Sequence, residues 1–163
     1  MSVNDLKVFA SPYASVGTNT WNVAASATII YPGEPVARAQ GGIVVTQMAT
    51  AKPVIKTDFL EGIAMSTSTN TAAVAGTVDV MPLLPGIIYL AKPTTAALWA
   101  TQALYNAYVG QRMVMALAAG AFTMGTTDGA TNGCIIMPLD VAKYPGVVAF
   151  TFASTVWTAS FQD

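Results

Sequence analysis

The sequence predicts an all-β protein: an antiparallel β-barrel or sandwich with one short helix and an extended N-terminal arm. Three observations carry that prediction. Apolar residues alternate with polar ones over several short runs, which is the period of a half-buried strand. Gly, Pro, Asn and Ser separate those runs. Only one segment has apolar residues at helical spacing. A chain of 163 residues fits one domain and buries enough surface to fold without a disulfide or a metal.

Residues 1–30 read as the arm, with residues 31–163 as the barrel domain. In the arm Phe9, Tyr13 and Trp21 punctuate Ser, Ala, Thr, Asn and Gly without a clean period. Such a segment is either disordered alone or laid across something else. From Tyr31 three Pro-Gly pairs each open an apolar run: Pro32-Gly33, Pro85-Gly86 and Pro145-Gly146. Pro presets the first central position of a β-turn and Gly accepts the positive φ of the second.

Strands are predicted over residues 42–47, 59–65, 76–81, 112–117, 133–137 and 147–153, with period two continuing through Thr155, Trp157, Ala159 and Phe161. Gly62 marks a bulge or a close backbone approach. Val78 and Val80 share one face of their strand, Met113, Met115 and Leu117 another, and Val148, Phe150 and Phe152 a third. The helix is placed at residues 101–109, with Thr101 as N-cap, Gly110 as its stop, and Leu104, Tyr105, Tyr108 and Val109 on one face. Residues 94–100 are read as strand or loop.

Charge is the scarcest property. Lys and Arg number 7, Asp and Glu 8, His is absent, and the net charge is −1. Charged residues make up 9% of the chain, against about 25% in an average domain. With 53% apolar residues the chain is not of the disordered class. It has no basic excess for nucleic acid. Without His, the usual general base near neutral pH is missing. Few ions on the surface predict a subunit whose neighbours cover much of it.

No window is long and apolar enough for a spanning helix. The charge-free stretch 8–33 is broken by Pro12, Gly17, Asn19 and Asn22. The N-terminus lacks the basic region, apolar core and small-residue site of a signal peptide, so the chain is expected to be made in the cytoplasm and not secreted. The single cysteine, Cys134, reads as a small buried hydrophobe.

Candidate chemistry is thin. No Gly-x-Ser-x-Gly, Ser-x-x-Lys or phosphate-binding Gly loop occurs. Asp58 and Glu61 are the nearest carboxylate pair, and a strand sends them to opposite faces. The stretch from Asp128 to Gly133 matches the start of a calcium loop at its first, fifth and sixth positions. It fails at the third, Ala130, and the twelfth, Leu139, so it reads as a turn. Trp21, Trp99, Trp157 and the Met residues read as core or interface side chains. No catalytic residue, cofactor or metal is expected. Phe9, Tyr13 and Trp21 are the candidate contact residues, anchoring the arm at an interface.

The order of several phrases resembles the head decoration, or capsid cement, proteins of tailed bacteriophages. These phrases are Gly33-Glu-Pro-Val36, Phe59-Leu-Glu-Gly-Ile-Ala-Met65, Gly76-Thr-Val-Asp-Val80 and Pro85-Gly-Ile-Ile-Tyr89. Thr101-Gln-Ala-Leu-Tyr-Asn-Ala-Tyr-Val-Gly110, Thr127-Asp-Gly-Ala-Thr-Asn-Gly133 and Pro145-Gly-Val-Val-Ala-Phe150 follow. The resemblance implies a non-enzymatic β-barrel virion protein on the outer capsid surface. It also implies a homotrimer that binds the major capsid protein, clamps adjacent subunits and takes no nucleic acid, membrane or small-molecule substrate. The alternatives are a tail- or fibre-associated phage β-module and a small carbohydrate-binding or carbohydrate-hydrolysing β-domain.

Overall fold

The computed structural model describes residues 7–10, 17–38, 42–49, 52–54, 59–84, 86–118 and 121–154. They build an all-β molecule of two joined bodies. The first is a closed five-stranded barrel of β2 (Asn19–Val23), β3 (Pro35–Arg38), β4 (Val44–Gln47), β5 (Phe59–Ala64) and β6 (Gly76–Pro82), in the order β2-β4-β3-β5-β6. The second is a sheet of seven strands: β1 (Lys7–Ala10), β7 (Ile88–Pro93), β8 (Arg112–Met113), β9 (Met115–Ala118), β10 (Ala121–Met124), β11 (Cys134–Ile136) and β12 (Val148–Phe152). Antiparallel pairing dominates, and the β2–β4 and β7–β10 pairs are parallel.

Each body has its own apolar centre. The barrel is filled by small aliphatic side chains: Val23, Ile30, Val36, Val45, Ala64, Val78 and Val80. The second core holds larger groups, among them Met48, Met81, Tyr89, Trp99, Tyr105, Met113, Met115, Phe122, Met124, Phe150 and Phe152. β5 and β6 serve both. Ala64, Val78 and Val80 point into the barrel, while Leu60, Ile63 and Met81 pack on the other core. A strand buried on both faces reads as a continuous apolar run. In the second core the Tyr89, Phe150 and Phe152 rings lie 5.2–5.7 Å apart, with the Phe pair edge to face.

The Pro-Gly turns form as the sequence predicts, with φ of +87° at Gly33, +79° at Gly86 and +73° at Gly146. At the first turn the Glu34 N–H donates to the Tyr31 carbonyl at 3.1 Å. Gly62 is both a close approach and part of a bulge. A Cβ there would lie 2.0 Å from the Met81 carbonyl oxygen, and the β3–β5 register slips opposite it.

Four expectations need correction. The stretch 17–30, read as arm, belongs to the barrel: β2 pairs with β4 and β6 and closes it, and Val23 and Ile30 are core. β2 escaped notice because most of its residues are exposed, so no apolar alternation shows. β1 lies along β7, so its backbone too is a strand. The predicted strand 112–117 divides at Val114, where the chain changes partner from β11 to β10. Residues 94–100 hold a 3-10 turn, Ala96–Trp99, which buries Trp99. The helix α1 is shorter than expected, Gln102–Asn106. Thr101 Oγ accepts the Leu104 N–H, and Leu104 itself stands 43% exposed. The predicted continuation at residues 155–161 lies outside the described residues.

Candidate docking surface

The barrel carries two stretches, 17–33 and 62–78, without a single Asp, Glu, Lys or Arg. The fold brings them together. Gly33 N–H donates to the Ala64 carbonyl at 2.7 Å, Ser68 N–H to Ile30 at 2.8 Å, and Ser26 N–H to Thr71 at 2.9 Å. Two buried polar side chains brace the seam. Ser68 Oγ accepts the Ile30 N–H at 2.9 Å and donates to Asn70 Oδ1 at 2.6 Å. Asn70 Nδ2 donates to the carbonyls of Ser26 and Thr28 at 2.9 and 3.0 Å. Gly76 lets this seam close, since a Cβ there would meet the Asn70 backbone nitrogen at 2.2 Å. Buried polar groups with their partners in place fix one geometry.

Ser68 and Asn70 thus face inward, and the outer surface carries uncharged Thr, Ser and Asn side chains among small and apolar ones. Ala24, Ala25, Ala27, Ala72, Ala73 and Ala75 are exposed. Among the described residues the most exposed large apolar side chains all belong to the barrel: Ile43 at 74%, Val74 at 61%, Met65 at 52% and Tyr31 at 44%. The 30–33 and 64–68 backbone bonds bracket Tyr31 and Met65 between them.

Among the described residues the barrel's charged side chains are buried or hydrogen-bonded. Glu34 is fully buried, its Oε2 accepting the Tyr31 N–H at 3.0 Å and Gln47 Nε2 at 2.8 Å. Burial pushes its carboxyl above the ordinary range, against the pull of those two bonds. Arg38 Nε donates to Glu61 Oε1, Arg38 Nη1 donates to the Gly42 carbonyl at 3.0 Å, and the guanidinium lies 5.4 Å from the Trp21 ring centre. Asp79 Oδ1 accepts the Thr20 hydroxyl at 2.7 Å. Away from Asp79, this face can therefore meet an uncharged partner without stripping water from an ion.

The residues singled out in the sequence are scattered. Trp21 is half-buried on β2 against the barrel core, under Arg38, so it is built into the barrel rather than carried on an arm. The Phe9 side chain and all of Tyr13 lie outside the described residues, as does Asp58. Glu61 is engaged by Arg38. Asp128 and Asn132 clasp β8: Asp128 Oδ1 accepts the Arg112 N–H at 3.1 Å, and Asn132 Nδ2 donates to the Arg112 and Thr127 carbonyls. Cys134 is buried, and burial pushes its thiol up. Among the described residues no three His, Cys, Asp or Glu stand where they would hold a metal, and no helix is long and apolar enough to cross a membrane.

Sequence reasoning missed Glu34 and the Ser68–Asn70 brace, which carry no local signature. The missing charge of both stretches was legible, but their adjacency was not. Comparison of the chain with protein-family models, curated proteins and solved structures returns no match.

Proposed function

We propose that this chain is a virion structural protein of the decoration class. It binds the outer surface of a phage capsid as a homotrimer and stabilises the head by clamping adjacent major capsid subunits. It performs this role without catalysis or a cofactor. The observation that supports this reading is the braced barrel surface built from two charge-free stretches, with Tyr31, Met65 and Val74 exposed on it. Apolar burial contributes about 25 cal/mol per Å², offset by the ordering losses of association. A rigid face loses little entropy on docking. Three copies on one body make each later contact intramolecular.

The test is co-sedimentation of the purified protein with undecorated expanded phage heads over a salt series. Contacts without ions predict occupancy that changes little between roughly 0.05 and 0.5 M salt, where the Debye length shortens severalfold. Steep loss of occupancy over that range, or binding to tails instead of heads, would contradict the reading.

A further inference from the structure

We propose that a cleft on the sheet body, away from the docking face, binds an arginine side chain of a partner polypeptide. The cleft lies between the 3-10 turn, the start of α1 and the third Pro-Gly turn, and its volume is about 620 Å³. Ala96, Ala100, Val141, Ala142 and Pro145 supply apolar walls, and Trp99 lies beneath them with 2% of its surface exposed. Asp140 is the one Asp, Glu, Lys or Arg of the lining.

The walls are held before anything binds. Gln102 bridges helix and loop, its Nε2 donating to the Leu139 carbonyl and its Oε1 accepting the Val141 N–H, both at 3.0 Å. Asp140 Oδ1 accepts the N–H groups of Ala142 and Lys143 at 3.0 and 3.3 Å, which fixes the loop. No cation pairs with Asp140 among the described residues. The nearest in sequence, Lys143, holds its ammonium 5.4 Å from the Tyr144 ring centre.

Asp140 is exposed on the rim of these apolar walls, and a carboxylate so placed, with no cation paired to it among the described residues, selects a cation on an apolar stem. Guanidinium fits better than ammonium, because it is planar, is more weakly hydrated and tolerates apolar faces on both sides. This inference does not rest on the capsid reading, and it is tested on the isolated protein.

The probe is N-acetyl-arginine amide, with the uncharged N-acetyl-citrulline amide as its near-isostere. The readout is the Trp99 indole N–H resonance, assigned by its loss in Trp99→Phe. The expected result is a saturable shift with the arginine probe at about millimolar affinity, the range for a ligand of this size. The citrulline probe should bind roughly three- to tenfold more weakly. Asp140→Asn keeps the oxygen that caps the loop and removes the charge, so it should abolish the difference between the probes. Ala100→Leu should block both. Equal affinity for the two probes, an unchanged preference in Asp140→Asn, or no saturable shift at Trp99 overturns the proposal.

Discussion

The barrel and the sheet solve the same packing problem with different materials. The barrel closes on valines, one isoleucine and one alanine, while the sheet closes on aromatic rings and methionines. Outside, the contrast runs the other way. The sheet body carries Lys92, Asp128, Asp140 and Lys143 on its surface, whereas among the described residues the barrel buries Glu34, pairs Arg38 with Glu61, bonds Asp79 to Thr20, and exposes Ile43, Val74, Met65 and Tyr31. A narrow closed barrel has little room for large side chains, so Leu60, Ile63 and Met81 of its strands turn into the other core. On the proposed reading the comparison is a division of labour: the sheet holds the core of large side chains and the barrel offers the contact face.

The largest expected effect probes the two cores. Phe150→Ala removes a fully buried ring that touches Tyr89 and Phe152, and should destabilise by about 3–5 kcal/mol. Val78→Ala in the barrel removes two methyl groups and should cost about 2 kcal/mol. Urea denaturation of both variants measures the gap. Equal losses would erase the distinction between the bodies.

Next in size is the brace beneath the docking face. Asn70→Ala strands the carbonyls of Ser26 and Thr28 and the Ser68 hydroxyl, and should cost about 2–3 kcal/mol. Amide hydrogen exchange should quicken at Ser26 and Ser68, whose N–H groups cross the seam, while β11 and β12 keep their protection. Uniform loss of protection would show that the two bodies unfold as one.

The smallest effect concerns Glu34. Its folded carboxyl titrates above its ordinary 4.5, so the fold holds the proton more tightly than the unfolded chain does. Its contribution is fully present below that ordinary value and is lost as pH rises through the folded one. Glu34→Gln keeps an oxygen for the Tyr31 N–H and does not titrate. The Tm of the parent should therefore fall relative to that of the variant as pH rises through this window. A constant difference would mean that Glu34 is not desolvated as described.

Much of the fold was legible. The alternation at Val78 and Val80 and at Phe150 and Phe152 placed two strands and the faces they bury, while Met113 and Met115, read as one strand, are buried on two. The Pro-Gly turns and the Thr101 cap were also readable. What was hidden depends on partners distant in sequence. β2 shows mostly exposed residues, so only its pairing with β4 and β6 makes it a strand. Nothing local marks β5 and β6 as shared by two cores. The docking face was half legible: the charge gaps stand in the sequence, but only the Ser26–Thr71 and Ile30–Ser68 bonds turn two gaps into one surface. Glu34 sits in a turn sequence that reads as exposed, and its burial follows from Gln47 closing over it.

The division of labour is tested most directly by placing one charge on each body and measuring occupancy on undecorated expanded heads. Met65→Lys puts an ammonium on the barrel face. Ala130→Lys puts the same charge on an exposed loop of the sheet body. Both sites are exposed, so each variant should stay within about 0.5 kcal/mol of the parent's stability. The account predicts that Met65→Lys loses at least tenfold in affinity, about 1.4 kcal/mol, and that Ala130→Lys binds as the parent does. Full occupancy by Met65→Lys, or equal losses in both, would contradict it.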